Sequence, residues 1–151
     1  MVTVSRLGVS VAVIAALLVG APAASAAVKS GRYKGTDISF RVKGNRVSNV
    51  KVLATYSCQR IGTGELPDGE VRQITVPGTL PVTSKGKLLS AVNIGSYGDI
   101  RGIVFGWNGR IRGRNAKVFV QAGYNYSSYS PEGGFVLVKC FSQTTFRAKR
   151  Q

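Results

Sequence analysis

The stretch Asp37–Cys58, "DISFRVKGNRVSNVKVLATYSC", determines the fold class. Apolar side chains occupy every second position in Ile38–Val42 and again in Val50–Cys58. A period of two is typical of a β-strand with one buried face. The dipeptide Gly44-Asn45 between the two runs favours a tight turn. The stretch therefore predicts a β-hairpin whose second strand points Cys58 toward the core.

One residue interrupts this alternation. Val47 lies out of phase with the apolar positions that follow it. An extra residue in one strand shifts the phase of every side chain beyond it. We therefore expect a β-bulge near Ser48 or Asn49.

The same signals recur along the rest of the chain. Further strands are predicted at Val71–Val76, at Lys87–Asn93, on both sides of a turn at Asn108-Gly109, and in the two segments "AKVFVQAGYNY" and "FVLVKCFSQTTFRAKR". Sustained helical periodicity is missing after the first 26 residues. About eight short strands separated by turn residues indicate an antiparallel β-sandwich, with a closed β-barrel as the alternative.

The tyrosine-rich segment Gly123–Gly134, "GYNYSSYSPEGG", has the composition of a binding loop. Tyr124 and Tyr126, however, continue the alternation of the preceding strand and are predicted to face the core. Ser127–Gly134 then forms a hairpin loop with Tyr129 at its tip.

The first 26 residues have the features of a secretory signal peptide. A basic start at Arg6 precedes an uncharged apolar run, and the small residues Ala24 and Ala26 precede the expected cleavage point. The apolar run is shorter than the ~20 residues that a transmembrane helix needs. We therefore predict export, removal of residues 1–26, and a single domain at residues 27–151, secreted either free or in association with the cell wall.

The two cysteines are expected to form one disulfide bond. Cys58 and Cys140 would meet in an oxidising compartment after export. Two free buried thiols, or one catalytic thiol, are the alternatives. A catalytic thiol normally requires a histidine base, and the sequence contains no histidine.

The composition also argues against most catalytic chemistry. Without histidine the chain has no Ser-His-Asp triad and no zinc site of the ordinary type. Glu65, Asp68 and Glu70 share one predicted loop, where they could act as paired carboxylates or hold calcium. An exposed acidic turn is the favoured interpretation. We therefore predict no enzyme activity, no cofactor and no metal.

Positive charge is the strongest functional signal. The chain has 21 Lys and Arg against 6 Asp and Glu, and loss of Arg6 with the leader leaves 20 against 6, a formal charge of +14. Such a surface attracts polyanions. Arg110, Arg112 and Arg114 alternate within one predicted strand, so we expect them to line one face. Charge selected for solubility, or arising from a GC-rich genome, is the alternative.

Two aromatic residues complete the predicted binding site. Trp107 lies in the turn-like segment "FGWNGR", and Tyr129 lies in the predicted hairpin loop. Exposed rings there could stack on a sugar. A Trp107 that closes the end of the core is the competing interpretation, because large aromatic residues are mostly buried.

Six short elements occur in order along residues 27–151. They are "GRYKG", "ISFRV", "RVSNV", the first cysteine, "GRIRGR" and "CFSQTTFRAKR", at Gly31–Gly35, Ile38–Val42, Arg46–Val50, Cys58, Gly109–Arg114 and Cys140–Arg150. In these elements the chain resembles a group of small secreted all-β proteins from high-GC Gram-positive bacteria. The resemblance covers most of residues 27–151. It implies a secreted all-β domain and supplies no catalytic residue.

The function predicted from the sequence is non-catalytic binding of an anionic polymer of the envelope or extracellular space. Wall teichoic acid, acidic polysaccharide, extracellular DNA and a lipid surface all have suitable charge, although the chain lacks a specific nucleic-acid recognition module. The alternative is a secreted enzyme inhibitor or antimicrobial protein. Such a protein would act through a protruding loop, either Gln59–Glu70 or Ser127–Gly134.

Overall fold

The structure is a computed structural model. It describes residues 28–62, 64–65, 69–97, 99–129 and 132–151, with the backbone alone described for Gly64, Glu65 and Tyr97. The predicted signal peptide at residues 1–26 lies outside these residues. Within them, the chain forms no helix with the length and apolar character to cross a membrane.

The described residues form β-strands joined by short turns. The strands are β1 Gly31–Lys34, β2 Ile38–Lys43, β3 Arg46–Arg60, β4 Gly64–Glu65, β5 Glu70–Pro81, β6 Lys87–Tyr97, β7 Ile100–Arg112, β8 Asn115–Tyr129 and β9 Phe135–Arg150. All their pairings are antiparallel, in the order β4-β3-β2-β1-β9-β8-β7-β6, with β5 also beside β3. The predicted all-β antiparallel class is confirmed, and several strands are longer than expected.

The sheet folds over itself to enclose one core. Phe40 on β2 meets Trp107 on β7, with ring centroids 5.8 Å apart, although β1, β9 and β8 separate these strands in the sheet. Tyr56 on β3 likewise meets Tyr124 on β8 at 4.9 Å. Alternate side chains from both layers fill the space between them. This is the sandwich arrangement that the alternating pattern predicts.

The predicted hairpin and bulge are both confirmed. β2 and β3 pair across the turn at Gly44-Asn45, and the register of β3 against β5 shifts between Ser48 and Val50. Asn49 has a positive φ of 52°, which asparagine tolerates better than most residues. The bulge restores the phase, so that Val47 and Val50 are both buried.

The disulfide is also confirmed. Beyond its pairing with β2, β3 pairs directly with β9, and Cys58 lies opposite Cys140. Both cysteines are buried. The bond links strands whose cysteines are 82 residues apart in sequence, so it ties the early hairpin to the last strand.

The prediction of a turn at Asn108-Gly109 is wrong. Both residues lie within β7, and the turn to β8 occurs at Gly113-Arg114, where Gly113 has a φ of 55°. A Cβ atom at Gly109 would collide with the carbonyl oxygen of Lys117. Glycine at position 109 therefore allows close approach of β7 and β8 rather than chain reversal.

The basic C-terminal segment is part of the sheet. The segment Arg147–Arg150 forms the end of β9 and pairs with β8 and β1. Phe146 and Ala148 are buried there, so alternation continues to the end of the strand and directs Arg147 and Lys149 outward.

Candidate functional site

The three predicted arginines lie at the end of β7 and in the turn that follows it. Arg110 and Arg112 point outward while Ile111, between them, is fully buried. This alternation is the one expected for a strand. Arg114 is exposed but belongs to the turn rather than to β7. The predicted single arginine face therefore consists of two strand residues with one turn residue beside them.

The two predicted aromatic residues are not brought to the arginines. Trp107 is 2% exposed and packs in the core against Phe40 and Phe105, so its ring is not available to a ligand. Tyr129 is 67% exposed and forms an edge contact with Phe135 at the far end of β8. At about 3.4 Å per residue, Tyr129 is roughly 40 Å along the strand from Lys117.

Strand register instead assembles a different basic group, which we call the basic row. Arg110 on β7 lies directly opposite Lys87 on β6 and Lys117 on β8, and Lys117 lies directly opposite Arg147 on β9. All four side chains are exposed. At about 4.8 Å between strands, the row spans about 14 Å.

Within the described part of the chain, the charge of the basic row is not compensated. None of its four cations forms an ion pair with another described residue; the ion pair seen among those residues joins Arg72 to Glu70. Like charges directly opposite each other destabilise a sheet. The row therefore concentrates positive charge at some cost to the fold.

A second line of cations runs beside the first along the same edge of the face. Arg112 lies opposite Asn115, which lies opposite Lys149, which in turn lies opposite Lys34 on β1. All four residues are exposed. Together the two lines make one end of the outer face strongly positive, from β6 across to β1.

The middle of this face is uncharged and contains a shallow groove. Three further cross-strand rows follow the basic row on β6, β7, β8 and β9: Leu89, Asn108, Phe119, Thr145; Ala91, Gly106, Gln121, Gln143; and Asn93, Val104, Gly123, Phe141. Depressions of about 510, 480 and 380 Å³ share lining residues along this face. They form one open groove that begins at Arg110 and Lys117.

Of the acidic residues in the predicted loop, Glu70 lies in a different part of the molecule, at the start of β5. The side chain of Glu65 and all of Asp68 lie outside the described residues. The Glu70 carboxylate accepts a hydrogen bond of 2.8 Å from Arg72 Nε and one of 2.7 Å from the Tyr124 hydroxyl. It is thus held in an ion pair and a hydrogen-bond network.

Burial and this carboxylate both affect the neighbouring tyrosines. Desolvation raises the pKa of Tyr56 to about 12, although Arg72 opposes the shift. Desolvation and the hydrogen bond to Glu70 also raise the pKa of Tyr124. Glu70 Oε2 lies 4.0 Å from the sulfurs of Cys58 and Cys140, but a disulfide has no thiolate with which to bind a metal.

A separate cavity of about 630 Å³ opens beside this network. Ile74, Ile94, Ile100 and Ile103 line it together with Arg72 and Tyr124. Its charged group, Arg72, is already paired with Glu70. The cavity is therefore mainly apolar, and its electrostatic character differs from that of the basic face.

Lys87, Lys117 and Arg147 were not among the residues predicted to form the binding site. These residues are scattered along the chain and carry no common motif. The available signal was their parity: each lies one position from a buried residue, Leu88, Val118 or Phe146. Parity assigns each cation to the outer face, but it does not say which cations are neighbours.

Comparisons with known proteins add no relative. No protein-family model matches the chain, and neither the curated proteins nor the solved structures include a significant match.

Proposed function

We propose that this is a secreted, non-catalytic protein that binds an anionic polymer of the cell envelope or extracellular space. Binding occurs on the outer face of β6–β9, at the end that carries the basic row. The observation behind the proposal is the cross-strand alignment of Lys87, Arg110, Lys117 and Arg147, none of which has an ion-pair partner among the described residues.

This alignment favours a function over a general solubility effect. Charge that serves only solubility is best dispersed, with both signs interspersed. Here cations lie directly opposite cations on four consecutive strands, a pattern that costs stability. A polyanion that bridges the row would relieve this repulsion, because it supplies the missing negative charge.

Two further features support export. The N-terminal sequence has the three parts of a secretory signal peptide. The disulfide between Cys58 and Cys140 is typical of proteins that fold in an oxidising compartment. A location outside the cytoplasm would also bring the basic face into contact with envelope polymers.

A non-catalytic role is favoured by the chemistry of the described side chains. The sequence contains no histidine, and Glu70 is engaged by Arg72 and Tyr124. The basic row consists of lysine and arginine side chains and contains no carboxylate or imidazole.

The test compares two double variants of residues 27–151 that lose the same net charge. Arg110→Gln/Lys117→Gln removes the centre of the basic row. Lys43→Gln/Arg46→Gln removes another directly opposed cation pair, on β2 and β3, and serves as the matched control. Affinity for acidic polysaccharide, polyphosphate and neutral dextran is measured across a salt series.

We expect the first variant to weaken polyanion binding at least fivefold and to reduce the salt slope by about one to two. The control should change affinity less than twofold. Equal losses in both variants would mean that net charge alone attracts the polymer. Failure of the unmodified protein to bind any polyanion at physiological salt would refute the proposed function.

One observation favours a second candidate function, inhibition of a secreted enzyme. The last β7–β8 pair is Ile100 with Tyr126, so Ser127–Tyr129 continue only in the hairpin with β9. Tyr129 and Phe135, at the strand ends of this β8–β9 hairpin, are exposed, and the exposed fraction of Phe135 is 80%.

The other loop predicted to protrude is shorter than expected, because Gln59 belongs to β3 and Glu70 to β5.

A protease titration tests this candidate. Stoichiometric inhibition that is lost in Tyr129→Ser/Phe135→Ser, and kept in Arg110→Gln/Lys117→Gln, would favour the hairpin. Inhibition that is absent, or that depends on the basic row, would exclude this mode of action.

A further inference from the structure

The groove beside the basic row indicates which polymer the face can recognise. We infer that the ligand is an acidic polysaccharide whose sugar rings occupy the groove and whose acidic groups reach the basic row. This inference rests on the proposed function and goes further, because charge alone does not distinguish a glycan from other polyanions.

The groove has the dimensions of a short chain segment. Along β7 it extends from Arg110 to Val104, six residues or about 20 Å. It lies on an exposed sheet face and is open along its length, so a polymer can cross it without threading an end.

The floor of the groove is low because its central residue is glycine. Gly106 has no positive φ, and a Cβ atom there would meet only ordinary contacts, at 3.9 Å from the carbonyl oxygens of Gln121 and Ser90. Neither backbone conformation nor packing therefore requires glycine at this position. Its effect is to leave space above β7, which a larger side chain would fill.

Aromatic rings flank this floor. Phe119 is 38% exposed and Phe141 is 50% exposed, both on the outer face of the sheet. The Phe141 ring lies close to Gly123, because a Cβ atom added to Gly123 would be 3.5 Å from the ring. Exposed aromatic rings provide rigid apolar surface, and the C–H faces of sugar rings pack well on such surface.

Uncharged amides supply the polar contacts. Gln121 lies directly opposite Gln143, and Asn108 lies in the next row. The three side chains are exposed, and none has a side-chain hydrogen bond to another described residue. An amide offers both donors and an acceptor, so it suits hydroxyl groups, which have the same dual character.

The spacing of charge favours a polysaccharide over a nucleic acid. Among the outward rows on β6–β9, three uncharged rows separate the basic row from the next cations, Arg101 on β7 and Lys139 on β9. Nucleic acid and polyphosphate carry a charge on every repeating unit, so most of their charges would lie on uncharged surface. A glycan with widely spaced acidic groups matches the pattern, since neutral sugars can fill the groove between charges.

The test uses substitutions that change the shape of the groove and the charge of the basic row independently. Gly106→Val fills the groove, and valine suits an exposed strand position, so the variant should fold at least as stably as the unmodified protein. Phe119→Ser removes one aromatic wall. Lys117→Gln removes charge, and Leu53→Ser, an exposed apolar residue on β3, is the control. Hyaluronate and gellan, whose carboxylates are separated by neutral sugars, are the polysaccharide probes, and polyphosphate and single-stranded oligo-dT are the other two.

We expect Gly106→Val and Phe119→Ser to weaken binding of at least one acidic polysaccharide fivefold or more. Both should change the affinity for polyphosphate less than twofold, whereas Lys117→Gln should weaken binding of both the polysaccharide and polyphosphate. Leu53→Ser should change neither. Thermal unfolding of each variant verifies that the fold is retained.

Failure of this inference is distinguishable from failure of the proposed function. If both groove variants bind acidic polysaccharides as well as the unmodified protein does, while Lys117→Gln weakens every ligand, the face recognises charge alone and the glycan inference is overturned. The glycan inference is also overturned if the protein binds oligo-dT more tightly than either polysaccharide and Phe119→Ser weakens that binding. If none of the four probes binds, the proposed function itself fails.

Discussion

Reversing one charge in the basic row should stabilise the protein while impairing its function. Lys117 lies between Arg110 on β7 and Arg147 on β9, directly opposite both. Lys117→Glu converts two repulsive cross-strand pairs into two attractive pairs. Most surface substitutions change stability by less than about 0.5 kcal/mol, so a clear gain would identify Lys117 as a site of electrostatic conflict.

The expected gain follows from Coulomb's law. Two unit charges about 7 Å apart in water interact by about 0.6 kcal/mol. Each of the two pairs changes sign, so the unscreened total is about 2.4 kcal/mol. At physiological salt, with a Debye length of about 8 Å, screening reduces it to about 1 kcal/mol. At 10 mM salt about 2 kcal/mol should remain, and at 1 M salt the effect should nearly vanish.

The assay is urea unfolding of residues 27–151 at three salt concentrations. Urea is suitable because it is uncharged and does not screen the row. The matched control is Lys139→Glu, since Lys139 is also exposed on β9 but lies opposite the neutral residues Asn125 and Gln59. Polyanion binding is measured on the same samples, and Lys117→Glu should bind at least tenfold more weakly.

Two results would refute this reasoning. If Lys117→Glu and Lys139→Glu shift the unfolding midpoint equally, the effect comes from net charge and not from the row. If Lys117→Glu destabilises the protein at low salt, the four cations do not repel one another as their register implies.

Three further predictions concern the core. Replacing Cys58 and Cys140 by alanine removes a cross-link between residues 82 apart and should lower the free energy of unfolding by about 4–5 kcal/mol; a loss below 1 kcal/mol in urea unfolding would contradict this. Burial raises the pKa of Tyr56 to about 12, so the stability that its neutral hydroxyl contributes is intact below pH 10 and lost toward pH 12. Tyr56→Phe should therefore lose less stability than the unmodified protein over that pH range. An equal loss in both proteins would argue against the raised pKa of Tyr56. Trp107 is 2% exposed, so iodide should quench its fluorescence weakly in the folded protein and strongly in urea, whereas equal quenching would place the ring at the surface.

Local sequence patterns predicted the individual strands well but the turns less well. The alternation in Ile38–Val42 and Val50–Cys58 requires only that one face be buried, and the structure buries it. The turn predicted at Asn108-Gly109 failed because glycine also permits close approach of two strands, as Gly109 does against the Lys117 backbone. One dipeptide is compatible with both roles, and the partner strand decides between them.

Local sequence accounts for the alternation that makes the chain a sheet protein, the excess of positive charge, and the inward direction of Cys58. It also sets which side of its strand each cation occupies, because side-chain direction alternates locally along a strand. The burial of Trp107 depends instead on tertiary packing. So does the alignment of Lys87, Arg110, Lys117 and Arg147 as neighbours. Register between strands depends on packing across the whole sheet, and a shift of two residues would keep every side chain on its face while dispersing the row.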